Sequence, residues 1–127
     1  MSHFTTIQTQ IRDIAALREA CRELGLQIDE NAVARGYGSN SHKGEYVIRL
    51  KGPYDIALQR QPDGAYGLTT DWWAGHVEKE VGPNYGRLLQ LYAVQKATRE
   101  ALKKGHTVHR AALPNGAIKL TLTGGKA

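Results

Sequence analysis

Apolar residues along this chain alternate between two periods, and each switch predicts an element. The opening segment Phe4–Ile11 is rich in β-branched residues and predicts a strand. Beyond it Ile14, Leu17, Cys21 and Leu24 recur three or four apart, which is one face of a helix, with Arg18, Glu19, Arg22 and Glu23 on the others. Asp13 is the expected N-cap, since a short carboxylate accepts from the unpaired N–H groups of a first turn. Gly25 is the expected stop, since glycine enters a left-handed position without a Cβ clash.

A short strand is predicted at Leu26–Ile28, and then a polar, mobile loop from Gly36 to Gly44. Tyr46, Ile48 and Leu50 alternate with Val47, Arg49 and Lys51, the period of a strand with one apolar face. Ile56 and Leu58 mark the next strand, Pro62-Asp63-Gly64 turns the chain, and Tyr66 and Leu68 return as the second arm of a hairpin. From Asp71 to Asn84 no period holds, which predicts an irregular connection.

Helical spacing resumes from Tyr85 to Lys104, with Leu88, Leu91, Val94, Thr98, Ala101 and Leu102 as its stripe and Lys103 and Lys104 at the negative end of its dipole. Gly105 ends it. Thr107–Ala112 and Ala117–Thr123, joined by Pro114-Asn115-Gly116, predict a last hairpin. The order β-α-β-β-β-β-α-β-β with short turns predicts an α+β fold, an antiparallel sheet with two helices packed on one face, forming a single domain over residues 1–127.

Composition narrows the setting. A chain of 127 residues can bury a sizeable core without disulfides, and its one cysteine, Cys21, falls on a helix stripe, as a packed hydrophobe does. No apolar run approaches membrane-spanning length and the N-terminus lacks a basic region followed by an apolar core, so the expected location is cytoplasmic. Seventeen basic against twelve acidic residues give a net charge of +5, which favours acidic partners in general and leaves both nucleic acid and protein open.

Four segments carry a family resemblance: Met1-Ser2-His3-Phe4-Thr5-Thr6-Ile7, Arg35-Gly36-Tyr37, Tyr54-Asp55-Ile56 and the helix containing Tyr92. Taken in this order they resemble the plastid conserved reading-frame thirty-five family, a domain of unknown function with relatives in cyanobacteria and other bacteria. The connection from Asp71 to Asn84 departs from plastid members in length and residues. The resemblance implies a compact accessory domain and brings no reaction with it.

Candidate chemistry is sparse. Gly36-x-Gly38 through Lys43-Gly44 is no phosphate-binding loop, because such loops open a helix and this one leads into a strand. His3, His42, His76, His106 and His109 lack ligand spacing, and two strand residues three apart point to opposite faces, so no metal or other cofactor is expected. Asp63 is explained by its turn. Asp71 beside Trp72 is the carboxylate on which burial would act most. Trp72-Trp73 is the most informative local feature: adjacent residues on an extended chain point to opposite sides, so either one ring faces the core and the other a partner, or both cover apolar edges, the commoner use of tryptophan. Arg35, Tyr37, Lys43, Arg49 and Lys51 interleave cations with an aromatic, as a nucleic-acid surface does.

The preferred expectation is therefore a non-enzymatic accessory or regulatory domain that binds another protein through Arg35, Tyr37, Lys43, Trp72, Trp73 and His76, with no catalytic residue assigned. The alternative is a nucleic-acid-binding module. A small enzyme using Asp71 or His76 ranks third.

Overall fold

A computed structural model describes residues 3–125. Strand β1 (Phe4–Gln8) leads to helix α1 (Ile14–Glu23), and four strands follow: β2 (Gln27–Arg35), β3 (Ser41–Arg49), β4 (Ile56–Arg60) and β5 (Tyr66–Asp71). A connection of 3₁₀ turns and the four-residue helix α2 (Glu78–Val81) then reaches the long helix α3 (Gly86–Lys103) and the hairpin β6 (His106–Ala112) and β7 (Ile118–Gly124). The first five strands form one antiparallel sheet in the order β1-β5-β4-β3-β2. The expected α+β class and element order are thus present, with the short α2 added inside the irregular connection.

Helices α1 and α3 pack together on one face of this sheet. Leu17, Ala20 and Cys21 of α1 and Leu88 of α3 close over Ile48, Ile56, Leu58 and Leu68 of the strands, all fully buried. Each large side chain removed from water in this way stabilises the fold by about 1.5–3 kcal/mol before entropy is counted. Asp13 caps α1 as expected, its Oδ1 accepting from the Ala16 N–H at 3.1 Å, and Gly25 takes the left-handed backbone at φ +72°.

Three boundaries and one strand pairing differ from the sequence pattern. The first strand ends at Gln8 because the Thr9 hydroxyl donates to Tyr66 O at 2.7 Å and accepts from the Ile11 N–H at 3.0 Å, turning the chain toward α1. The short strand expected at Leu26–Ile28 grows into nine residues, disguised by Asn31 at φ +47°. Strict alternation would put Ala34 on the face of Ile28; beyond Asn31 it packs instead with Val47 and Ala57 on the opposite face. The expected loop Gly36–Gly44 shrinks accordingly to a turn, with β3 already begun at Ser41. Finally, β6 and β7 pair only with each other and lie against α3, so the last hairpin is a two-stranded ribbon outside the main sheet.

The far end of the β2–β3 hairpin therefore folds over the face opposite the helices. Its tip reaches the other side of the sheet, where Gly36 meets Phe4 of β1 so closely that an added Cβ would lie 2.6 Å from the ring. That crossing brings the tip beside the chain leaving β5.

Candidate functional site

Two fully buried carboxylates organise the place where the hairpin tip, the start of β4 and the connection after β5 meet. Asp55 is the first. Arg35 grips it with Nε to Oδ2 and Nη2 to Oδ1, both at 2.8 Å, and adds its backbone N–H at 3.0 Å. Arg49 Nη1 donates to Oδ2 at 2.9 Å, and the Leu50 N–H to Oδ1 at 3.2 Å. Burial pushes the Asp55 carboxyl up, but the hydrogen bonds from Arg35 and from the Arg35 and Leu50 N–H groups more than offset it, leaving the group below its ordinary value. The main chain joins in: Asp55 N–H donates to Arg35 O at 3.0 Å, and the Thr70 hydroxyl to Asp55 O at 2.7 Å.

Asp71, the last residue of β5, is the second. Its Oδ2 accepts from the Tyr37 N–H and its Oδ1 from the Trp73 N–H, each at 3.0 Å. One carboxylate thus fixes the backbone beneath two aromatic residues that are remote in sequence. Their rings meet edge to face, centroids 5.8 Å apart at 77°, and both stay open to solvent, Tyr37 at 48% and Trp73 at 45%.

Backbone geometry separates the two tryptophans. Ala74, Asn84 and Tyr85 hold positive φ in this connection, together with Gly75 and Gly82. For a residue with a Cβ that conformation costs energy, so the surrounding contacts must hold it. Trp72 turns inward to the core and meets buried Tyr85 edge to face, centroids 4.8 Å apart at 68°, while Trp73 turns out. The two rings thus point to opposite sides, one to the core and one to solvent.

Tyr54 and His76 form a second perpendicular pair, 5.3 Å between centroids. Burial raises the Tyr54 phenol above its ordinary value, with the charges of Asp71 and Tyr37 adding to the shift. Glu80 of α2 ties the connection to the turn before β4, accepting from Lys51 N–H at 2.7 Å and Gly52 N–H at 2.9 Å.

Of the six residues expected to bind, the geometry gathers Tyr37, Trp73 and, on the neighbouring pair, His76. Arg35 adjoins them, half exposed, with its guanidinium spent on Asp55, Leu50 O and Gly52 O. Trp72 supports the group from the core side. Lys43 sits exposed opposite Val33 in the β2–β3 ladder and shares none of these contacts among the described residues. Sequence reasoning missed the clasp by Asp71 and the part played by Tyr54; the proximity of Asp71 to Trp73 was visible, its bond to Tyr37 was not.

The described residues contain no cluster of three or more His, Cys, Asp or Glu placed to hold a metal ion, and none of their helices is long and apolar enough to cross a membrane. A cavity of about 710 Å³ lies elsewhere, between the segment Gln8–Arg12 and the outer stripe of α3 formed by Leu89, Ala93 and Ala97.

Three of the four segments that carried the resemblance meet here, with Phe4 packed on Gly36, Arg35 bound to Asp55 and Tyr37 N–H donating to Asp71, while Tyr92 lies elsewhere, its hydroxyl accepting from the Arg12 and Asp13 N–H groups. Comparison with known proteins agrees. The chain is 30% identical over 123 residues to the uncharacterised protein ycf35 of Pyropia yezoensis, covering 94% of each chain. It is 31% identical over 127 residues to the uncharacterised protein ycf35 of Guillardia theta, covering 96% of each. No solved structure matches. With residues 20–121 matching the model of the family described as protein of unknown function (DUF1257), the chain belongs to that family.

Proposed function

We propose that this protein is a small non-enzymatic accessory domain that acts in the cytoplasm by docking another protein on the surface formed by Tyr37 and Trp73. The observation that carries the reading is the Asp71 clasp, which holds two half-exposed aromatic residues from separate elements in one fixed arrangement. Tyrosine and tryptophan are the side chains that dominate binding energy at protein interfaces, and rings fixed beforehand lose less entropy on binding.

The same geometry lowers the case for the alternatives. Arg35 and Arg49 commit their guanidinium groups to Asp55 and Asp29, which removes two of the cations from the surface considered for nucleic acid. Asp71 is sealed from solvent with both oxygens engaged by backbone N–H groups, so it offers no open oxygen for proton transfer to a substrate.

Affinity capture of the tagged protein from its native lysate after nuclease treatment tests this reading, run beside a Trp73→Ser, Tyr37→Ser double variant. The expected result is a reproducible protein retained by the wild type after nuclease and lost from the variant. Retention that disappears with nuclease moves the protein to the nucleic-acid class. Equal retention by both proteins removes the aromatic surface from the account.

A further inference from the structure

We infer that the Tyr37–Trp73 corner is a receptor for a single cationic group, the ammonium or guanidinium of a lysine or arginine side chain on the docked protein. The inference rests on the docking reading and adds the chemistry of the contact. The two rings meet edge to face at 77°, and the ring faces left uncovered by that contact carry the negative end of the aromatic quadrupole.

Beneath them lies a carboxylate with no positive partner. Among the described residues no lysine, arginine or histidine nitrogen comes within 4.0 Å of Asp71, whose two oxygens accept only from the Tyr37 and Trp73 N–H groups. The contrast with Asp55 is direct, because that carboxylate is met by Arg35 and Arg49. Asp71 thus supplies acceptor oxygens and no cation at the base of the corner.

Elsewhere the chain fills such positions itself. Arg18 lies over the Tyr46 ring at 5.9 Å and Arg60 over Tyr66 at 5.4 Å. Tyr37 and Trp73 carry no such cation among the described residues, and the one arginine close in sequence, Arg35, is turned to Asp55. A net charge of +5 repels cations at long range, so recognition has to come from contact at this corner.

The test uses the whole protein and small probes, which makes it independent of whether a partner has been found. Choline, methylguanidinium and the neutral choline analogue 3,3-dimethylbutan-1-ol are titrated while the indole N–H signal of Trp73, assigned with Trp73→Leu, is followed by NMR. The expected result is a saturable shift with at least one cation, binding about fivefold or more tighter than the neutral analogue. Tyr37→Phe should retain the response and Tyr37→Leu lose most of it. Preference for choline assigns an ammonium and preference for methylguanidinium an arginine. An equal response to the neutral analogue, or an unchanged response in Tyr37→Leu, overturns the inference. If neither cation shifts Trp73 while capture of a protein still depends on Trp73 and Tyr37, the cationic contact is wrong and docking stands. If the cations bind and no protein is captured, docking is the part that fails.

Discussion

Asp55 and Asp71 are both sealed from water, yet they are satisfied differently, and the difference sets what each substitution should do. Asp55 sits at the centre of a charge network, so Asp55→Ala leaves Arg35 and Arg49 facing an empty pocket. Because Arg35 is half exposed and Arg49 a third, both can regain water, so the loss in denaturant unfolding should be about 1–3 kcal/mol, from leaving the Arg35 and Leu50 N–H groups unpaired, and larger than that of Asp29→Ala, whose side chain is a third exposed. The pH dependence has a definite sign. The folded carboxyl of Asp55 lies below its ordinary value of 3.8, so as pH falls the unfolded chain takes the proton first. Its contribution to stability is complete above that value and is lost as pH drops through the folded one. Stability measured from about pH 5 downward should therefore fall less steeply in Asp55→Asn than in the wild type. Cys21 behaves in the opposite sense: burial pushes its thiol up to about 12. A thiol reagent should label it in the native protein only as fast as the chain unfolds, and rapid native labelling would show that α1 does not seal it.

At the scale of elements, the β2–β3 hairpin does what its sequence conceals. Residues Gly36 to Gly44 look like a mobile loop, because glycine and short polar residues fill them. In the structure Gly44 is buried in the ladder, where a Cβ would lie 2.7 Å from Tyr46 O, and Gly36 is fixed against Phe4. These glycines serve close approach. Gly36→Ala should destabilise by about 1–3 kcal/mol, and Phe4→Leu, by opening room for the new methyl, should restore part of it in the double variant. Additive losses would place the strain elsewhere. The helices were legible because a stripe every three or four residues needs only local sequence to be seen, and α3 begins and ends within one residue of its pattern. Which face the residues beyond Asn31 cover was not, since the hairpin turns over near that positive-φ residue while its ladder register runs on unbroken.

The whole molecule divides into a five-stranded sheet under two helices and a ribbon, β6–β7, that leans on α3 with Arg110 bound to Glu23 at 2.9 Å. A two-stranded ribbon has little stability of its own. Its amides should exchange with solvent faster than those of β4 and β5, and equal protection would show that ribbon and sheet open as one unit. The proposed docking surface is a feature of this scale alone. Tyr37, Asp71 and Trp73 are joined by the folding of a hairpin across a sheet, and no spacing along the chain announces that meeting. In the sequence Tyr37 stood out among basic residues and Trp72-Trp73 as a pair with neither ring assigned outward, whereas the carboxylate that unites Tyr37 and Trp73 looked like a candidate acid.

The most direct test of that surface is photo-crosslinking in the native cell, with a photoreactive phenylalanine analogue placed at Tyr37 and, as a control, at Leu102, which is exposed on α3 far along the chain. The account expects one reproducible protein adduct at position 37 that survives nuclease and is absent at position 102. The same adducts at both positions, or none at position 37 beyond nucleic acid, would contradict it.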